Sequence, residues 1–151
     1  MPDDLTVPTA TLSLSLRIDS GLSLAAAAMA AVGRLMVEIV GEERGERFAL
    51  ACTEAVNKAI RHAEPGDERQ VIGIGLTVSD RSVVASIADH GSGVLLAEGL
   101  AALPVNPYET DGELPGASAG LWLMRQGADS VDYRRGPVGD ELVLTLNLGG
   151  A

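Results

Sequence analysis

Aromatic residues are nearly missing from this chain: one Trp, two Tyr and one Phe among 151 residues, or 3%. Any core must therefore be assembled from Leu, Val, Ile and Ala. The apolar content of 46% is enough to do so and too high for a disordered chain. Cysteine occurs once, at Cys52, which excludes an internal disulfide. Its apolar helical surroundings make it a small core residue. Cations are scarce: 11 Lys and Arg against 21 acids give a net charge of -10. Nucleic acid is excluded as a partner, because phosphate backbones are bound by clustered Lys and Arg. A nucleotide, which needs only a few local donors, is not excluded. A long uninterrupted hydrophobic run is also lacking. The most apolar early stretch, LSLAAAAMAAVGRLMVEIV, is broken by Arg34 and Glu38, so it reads as a buried amphipathic helix and not a membrane span. The amino terminus, MPDDLTVPTA, is acidic and unlike a secretion signal. The expectation is a soluble cytoplasmic protein of one domain.

The chain does carry clear periodicities. Residues 1–10 read as a loose tail, and a single domain is expected over 11–149. Leu12, Leu14, Leu16 and Ile18 alternate with Ser13, Ser15 and Arg17, the pattern of a half-buried strand. Asp19 or Ser20 can cap a helix that runs to Val40, with Gly41 closing it. A second helix spans Glu43 to His62, with Phe48, Cys52, Val56 and Ala59 on one face, and Pro65-Gly66-Asp67 stops it. Strands over Val71–Val78 and Val83–Asp89 flank the turn Ser79-Asp80-Arg81-Ser82. An irregular stretch from Val94 to Ala119 holds Pro104, Pro107 and Pro115, and LLAEGLAAL within it is a possible short helix. A loop of this length in a compact domain reads as a lid. A helix from Gly120 to Asp129 follows, then a hairpin of Val131–Arg134 and Glu141–Leu148. Strands joined by tight turns are antiparallel. The fold class expected is α/β (α+β): a two-layer sandwich whose mixed, mostly antiparallel sheet carries helices on one face.

Three segments could carry chemistry. In TEAVNKAIRHA, Glu54 and Lys58 are four apart on one helix face, and Asn57 lies about a quarter-turn away. In ADHGSGV, Asp89 closes an apolar strand, and Gly91 and Gly93 let a ligand approach the backbone. An acid placed there can accept a hydrogen bond from an exocyclic amine. In GASAG, Gly116 to Gly120 lead into a helix whose spare N–H groups suit a phosphate. Acid-bearing helix, Asp-Gly strand end, lid and Gly-led helix together suggest a purine-nucleotide pocket. His62 reads as a helix C-terminal residue, Trp122 as core, Arg125 as solvated, and Glu42 to Arg47 as a solvated helix start.

TEAVNKAIRHA, DHGSG and SAGLWLMRQGADSVDY, in this order, resemble the bacterial anti-sigma-factor serine/threonine-protein kinases of the Bergerat fold. That superfamily also includes gyrase, heat-shock chaperone ATPases and histidine-kinase catalytic domains. The resemblance spans about Leu12 to Leu148 and implies a histidine-kinase-like ATPase domain with its ATP lid at about 94–119. It implies Glu54 as the general base for a substrate hydroxyl and Asp89 as the ligand of the adenine amino group. Gly91 and Gly93 would line the base and sugar, and Gly120 and Leu121 the phosphates. ATP or ADP would be the ligand, with Mg²⁺ held through an Asn four residues after the Glu. That position is Lys58 here, and Asn57 is displaced by one. An ammonium has no lone pair for a metal. Three arrangements remain open: Lys58 on the phosphates, Lys58 paired to Glu54, or a local turn of the helix that brings Asn57 to the metal. The resemblance further implies a sigma factor and a STAS-type anti-sigma-factor antagonist as partners, and a homodimer. An impaired, partner-sequestering module of the same fold is the alternative, as is a relative that binds no nucleotide.

Overall fold

The computed structural model describes residues 10–19, 22–61, 71–88, 116–135 and 140–149. The elements in chain order are β1 (Ala10–Asp19), α1 (Leu22–Val40), α2 (Glu42–Arg61), β2 (Val71–Ser79), β3 (Ser82–Ala88), α3 (Gly116–Gly127), β4 (Ser130–Arg135) and β5 (Asp140–Asn147). Among the described residues the five strands form one sheet in the order β1-β2-β3-β5-β4. Every neighbouring pair is antiparallel.

The alternation in sequence sets the register. Leu14 pairs with Leu76, Leu76 with Ala85, Ala85 with Leu144 and Leu144 with Val131. Directly paired residues share a face, so these rows line one side of the sheet. Ile72, Ile74, Leu76, Val83, Ile87, Leu142 and Leu144 are buried on that side, against Met29, Val32 and Met36 of α1 and Phe48, Cys52 and Val56 of α2. Ser13, Ser15 and Arg17 lie exposed on the other side of β1. A wholly buried side chain of this size contributes about 1.5–3 kcal/mol. The core draws its volume from many aliphatic residues and a single Phe.

Turn chemistry explains two junctions. Gly41 has φ of 93° between α1 and α2, in the left-handed region that suits a helix C-cap glycine, and its N–H donates to the Val37 carbonyl at 2.9 Å. In the β2–β3 turn the Ser79 hydroxyl accepts from the N–H groups of Arg81 and Ser82, each at 3.2 Å.

Three expectations are corrected. Strand β1 begins at Ala10, so the tail is shorter by one residue than expected. Helix α3 begins at Gly116 and not at Gly120, so the stretch expected as lid ends earlier. Ala117 and Ala119 are strong helix formers, and Pro115 precedes them in sequence where proline favours a helix start. Trp122, expected in the core, is only half-buried and lines a shallow surface recess with Arg47, Leu50 and Leu123. Its position on α3 is one residue past the buried Leu121, at the edge of the packed stripe.

The hydrogen bonds define two ends of the molecule. At one, Arg44 near the start of α2 donates to the Asn147 carbonyl at 2.6 Å. The Asn147 N–H donates to the Asp129 carboxylate at 2.6 Å, just past the end of α3. Asn147 pairs with Ser82, the start of β3. The last turns of α2, the start of α3 and the end of β3 therefore lie at the opposite end.

Candidate functional site

That opposite end is where the chemistry-bearing residues gather. Helices α2 and α3 pack closely along their length. A Cβ placed on Gly127 would overlap the Arg47 carbonyl, while one on Gly120 would stand 3.6 Å from Glu54 Oε1. The helices are thus antiparallel, and each turn along α2 toward its C-terminus is matched by a step toward the N-terminus of α3. Glu54 faces the second turn of α3. Lys58, one turn further, is level with the first. Ala88 pairs with Gly73 near the start of β2, so β3 ends at this same end.

Each side chain of the helix box has a definite place. Glu54 and Asn57 are half-buried. Thr53 is committed to its own helix, its hydroxyl donating to the Ala49 carbonyl at 2.8 Å. Lys58 is 1% exposed, and it and Ser79 are the buried polar residues among those described. Lysine is almost never fully buried unless paired, and Lys58 is engaged within the protein. Its neighbours on the inward face, Ala55, Val56 and Ala59, are all fully buried. Helix α2 is α-helical without interruption from Glu42 to Arg61. The local turn that would carry Asn57 to the position of Lys58 is absent.

Gly120 and Leu121 are buried, with Leu121 at 2% exposure. Because α3 starts at Gly116, the N–H of Gly120 already belongs to the helical ladder. The donors left over at the helix start are those of its first turn, from Gly116 onward. The stretch Gly116 to Gly120, singled out in the sequence for the N–H groups at its helix start, is itself the first turn and the beginning of the second. Asp89, Gly91, Gly93, His62, residues 94–115 and the turn at 136–139 lie outside the described residues. Arg125 is exposed, as expected, and so are Glu42, Glu43, Arg44, Glu46 and Arg47, while Gly45 is buried.

A divalent ion of the Mg²⁺ type requires hard oxygen ligands in near-octahedral array. Position 58 offers an ammonium, and only Glu54 and Asn57 remain nearby on α2 as oxygen donors. No group of three His, Cys, Asp or Glu residues able to hold a metal occurs among the described residues. Among the described residues the site thus offers Mg²⁺ no more than Glu54 and Asn57 beside the phosphates of a nucleotide.

Cys52 is buried at 1% exposure, and burial pushes its thiol from the ordinary 9.0 up to about 12. It is a core residue and not a nucleophile. A groove of about 370 Å³ lies between α1 and α2, lined by Gly33, Arg34, Val37, Glu38, Glu46 and Ala49 among others. It includes none of the helix-box residues. No described helix is long and apolar enough to cross a membrane.

Comparison with known proteins accords with this geometry. The family described as histidine kinase-like ATPase domain matches residues 19–146. No curated protein matches the chain. Among solved structures, the crystal structure of the RsbU and RsbW domains of Rv1364c from Mycobacterium tuberculosis is similar, with a TM-score of 0.63 and 19% identity. The similarity covers 90% of this chain and 32% of that one, so the present chain spans about a third of its neighbour's length.

Proposed function

The chain belongs to the histidine kinase-like ATPase domain family, and on that basis we propose that it is an ATP-binding serine kinase of the anti-sigma-factor type. In this reading it binds a sigma factor and phosphorylates a serine on a small STAS-type anti-sigma-factor antagonist. The observation that carries the proposal is the convergence at one end of the molecule. The Glu54 carboxylate lies against α3 next to its amino terminus, and β3 ends there just before Asp89.

The reaction is in-line phosphoryl transfer, and the protein's contribution is positioning and charge stabilisation. The acceptor serine oxygen bonds to the γ-phosphorus while the bond from that phosphorus to the bridging oxygen breaks, which releases ADP. Glu54 accepts the serine proton. Asp89 accepts a hydrogen bond from the adenine amino group, and Gly91 and Gly93 admit the base and sugar. The first-turn amides of α3 receive the phosphates, with Gly120 and Leu121 packing that turn against α2.

A protein partner is supported by α1. Its exposed residues Leu24, Ala26, Ala27, Ala30 and Ala31 are apolar, and Arg34 and Glu38 are the only charged residues in the helix. Exposed apolar surface of this kind marks interaction sites. A homodimer and a cytoplasmic location belong to the same proposal.

Transfer of labelled γ-phosphate from ATP to the antagonist tests the kinase reading. Glu54→Gln is expected to lower transfer by about 10²–10⁴-fold, the usual worth of a general base, with ADP binding retained. Undiminished transfer in that variant would remove Glu54 from the mechanism.

A second reading is favoured by one feature, the buried Lys58 one turn from Glu54. In it the chain sequesters its partner without phosphorylating anything, and nucleotide only stabilises the fold by linkage. Nucleotide binding with no transfer to any serine would select it.

A further inference from the structure

We propose that the end of the α2–α3 pair remote from Glu54 holds a second small-molecule site, which takes an aromatic compound bearing a carboxylate or phosphate. The inference does not depend on the nucleotide reading. Two recesses adjoin there and share Arg47, Gln126 and Gly127. One, of about 200 Å³, is lined by Arg44, Arg47, Arg125 and Asp129 among others. The other, of about 210 Å³, is lined by Leu50, Trp122 and Leu123 beside the shared residues. Each alone holds no more than a fragment, whereas the two joined reach the lower end of the usual range for ligand pockets, about 300–1,000 Å³. Gly127 forms the junction: having no side chain, it lets α3 close on the Arg47 carbonyl. Arg47 precedes Glu54 by about 10 Å along α2, so neither recess includes the helix box.

The polar recess is short of anions. It gathers three of the chain's 11 cations, in a molecule whose net charge is -10. Asp129 is the acid in its lining, and that carboxylate already accepts the Asn147 N–H at 2.6 Å. Arg44 donates to the Asn147 carbonyl at 2.6 Å, a neutral acceptor that leaves its charge unmatched and further N–H groups to give. The Arg47–Glu43 pair, at 3.4 Å, has side chains 64% and 79% exposed, and a solvated pair of this kind is weak. Arg125 is exposed and has no hydrogen-bond or ion-pair partner among the described residues. Arg44 and Arg47 also stand in the first two turns of α2, where the helix dipole favours the acids Glu42 and Glu43 and disfavours cations. Their placement does not serve the helix; it serves the recess. Guanidinium forks bind carboxylate and phosphate in bidentate fashion. The adjoining recess supplies the apolar half. Leu50 is 47% exposed, and Trp122, the chain's single tryptophan, is half-buried and held by an interaction within the chain. A flat ring fits against such a surface while its anion reaches the arginines.

Trp122 provides the readout, because the chain has no other tryptophan. Phenyl phosphate and benzoate are titrated into the full chain at constant ionic strength, with and without saturating ADP, and the tryptophan emission is followed. A saturable change with a dissociation constant on the order of 0.1–1 mM is expected. Saturation by either compound supports the site, and the tighter of the two identifies its anion. ADP is expected to leave the titration unchanged. Inorganic phosphate and benzyl alcohol, which each carry one half of the ligand, are expected to bind at least about tenfold more weakly. Arg125→Gln removes an unpartnered charge, so it is expected to weaken binding about tenfold with the melting temperature unchanged. Arg34→Gln, in the separate groove between α1 and α2, is expected to bind as wild type does. No change with either compound at about 10 mM would overturn the inference. So would binding undiminished in Arg125→Gln, or inorganic phosphate as tight as phenyl phosphate. Displacement by ADP would place the compound in the nucleotide pocket and overturn it as well.

Discussion

Lys58 and Cys52 are both buried on α2, and they illustrate opposite uses of burial. The thiol of Cys52 is held protonated by its apolar surroundings, at about 12 against an ordinary 9.0. Its folded pKa is raised, so the folded state holds the proton that the unfolded chain releases. The associated stability is fully present below about pH 9 and is lost as pH rises toward 12, by at most about 1.4 kcal/mol per pH unit. Cys52→Ala is therefore expected to flatten the alkaline fall of unfolding free energy measured in urea. Native protein is expected to leave a thiol reagent unconsumed at pH 8, whereas urea-unfolded protein reacts with one equivalent. Rapid reaction of the native protein would contradict the buried placement. Cys52 was legible from sequence, since a lone cysteine among alanines and valines follows the apolar period. The burial of Lys58 was not, because the side-chain type argues for solvent and only the packing of α2 against its surroundings reverses that.

Helix α2 is the element on which the rest of the site depends. Its amino-terminal half is pinned by Arg44 to β5, its middle by Gly127 of α3, and its C-terminal half carries Glu54 and Lys58. Gly127→Ala must separate the two helices, because the new methyl overlaps the Arg47 carbonyl and comes within 3.0 Å of the Ala51 methyl. A cost of about 1–3 kcal/mol is expected, or roughly 2–12 °C in melting temperature. The separation occurs at the end of the helix pair remote from Glu54, so the loss is one of stability; an unchanged melting temperature would refute the close packing. At Gly41, whose φ is 93°, alanine is expected to cost about 1 kcal/mol without touching the site. Most of these elements could be read from periodicity alone. The alternation of Leu12, Leu14, Leu16 and Ile18 and that of Leu142, Leu144 and Leu146 predict β1 and β5 closely. The start of α3 was misplaced because Gly116 and Gly120 look alike as helix-breaking residues, and the alanines between them decide in favour of helix.

Among the described residues, five antiparallel strands lie under helices, and α2 and α3 bring Glu54 against the start of α3 at one end of the sheet. The antiparallel hairpins β2–β3 and β4–β5 followed from short turns and alternating residues, but the places of β1 beside β2 and of β5 beside β3, like the meeting of Glu54 with α3, depend on tertiary packing, which no local pattern encodes. The acidic net charge of -10 makes the few interior donors matter more. A polyphosphate can be held only where a cation or oriented amides offset that background. A nucleotide bound at this end would tie together α2, β3 and α3, elements far apart in sequence, and so stabilise the chain against unfolding.

The melting temperature as a function of ADP concentration reports that tie. At about a hundredfold excess over the dissociation constant, a rise of roughly 5–10 °C is expected for the wild-type chain, and Asp89→Ala is expected to abolish it. No rise at millimolar ADP, or a rise undiminished in Asp89→Ala, would contradict a purine site at the end of β3.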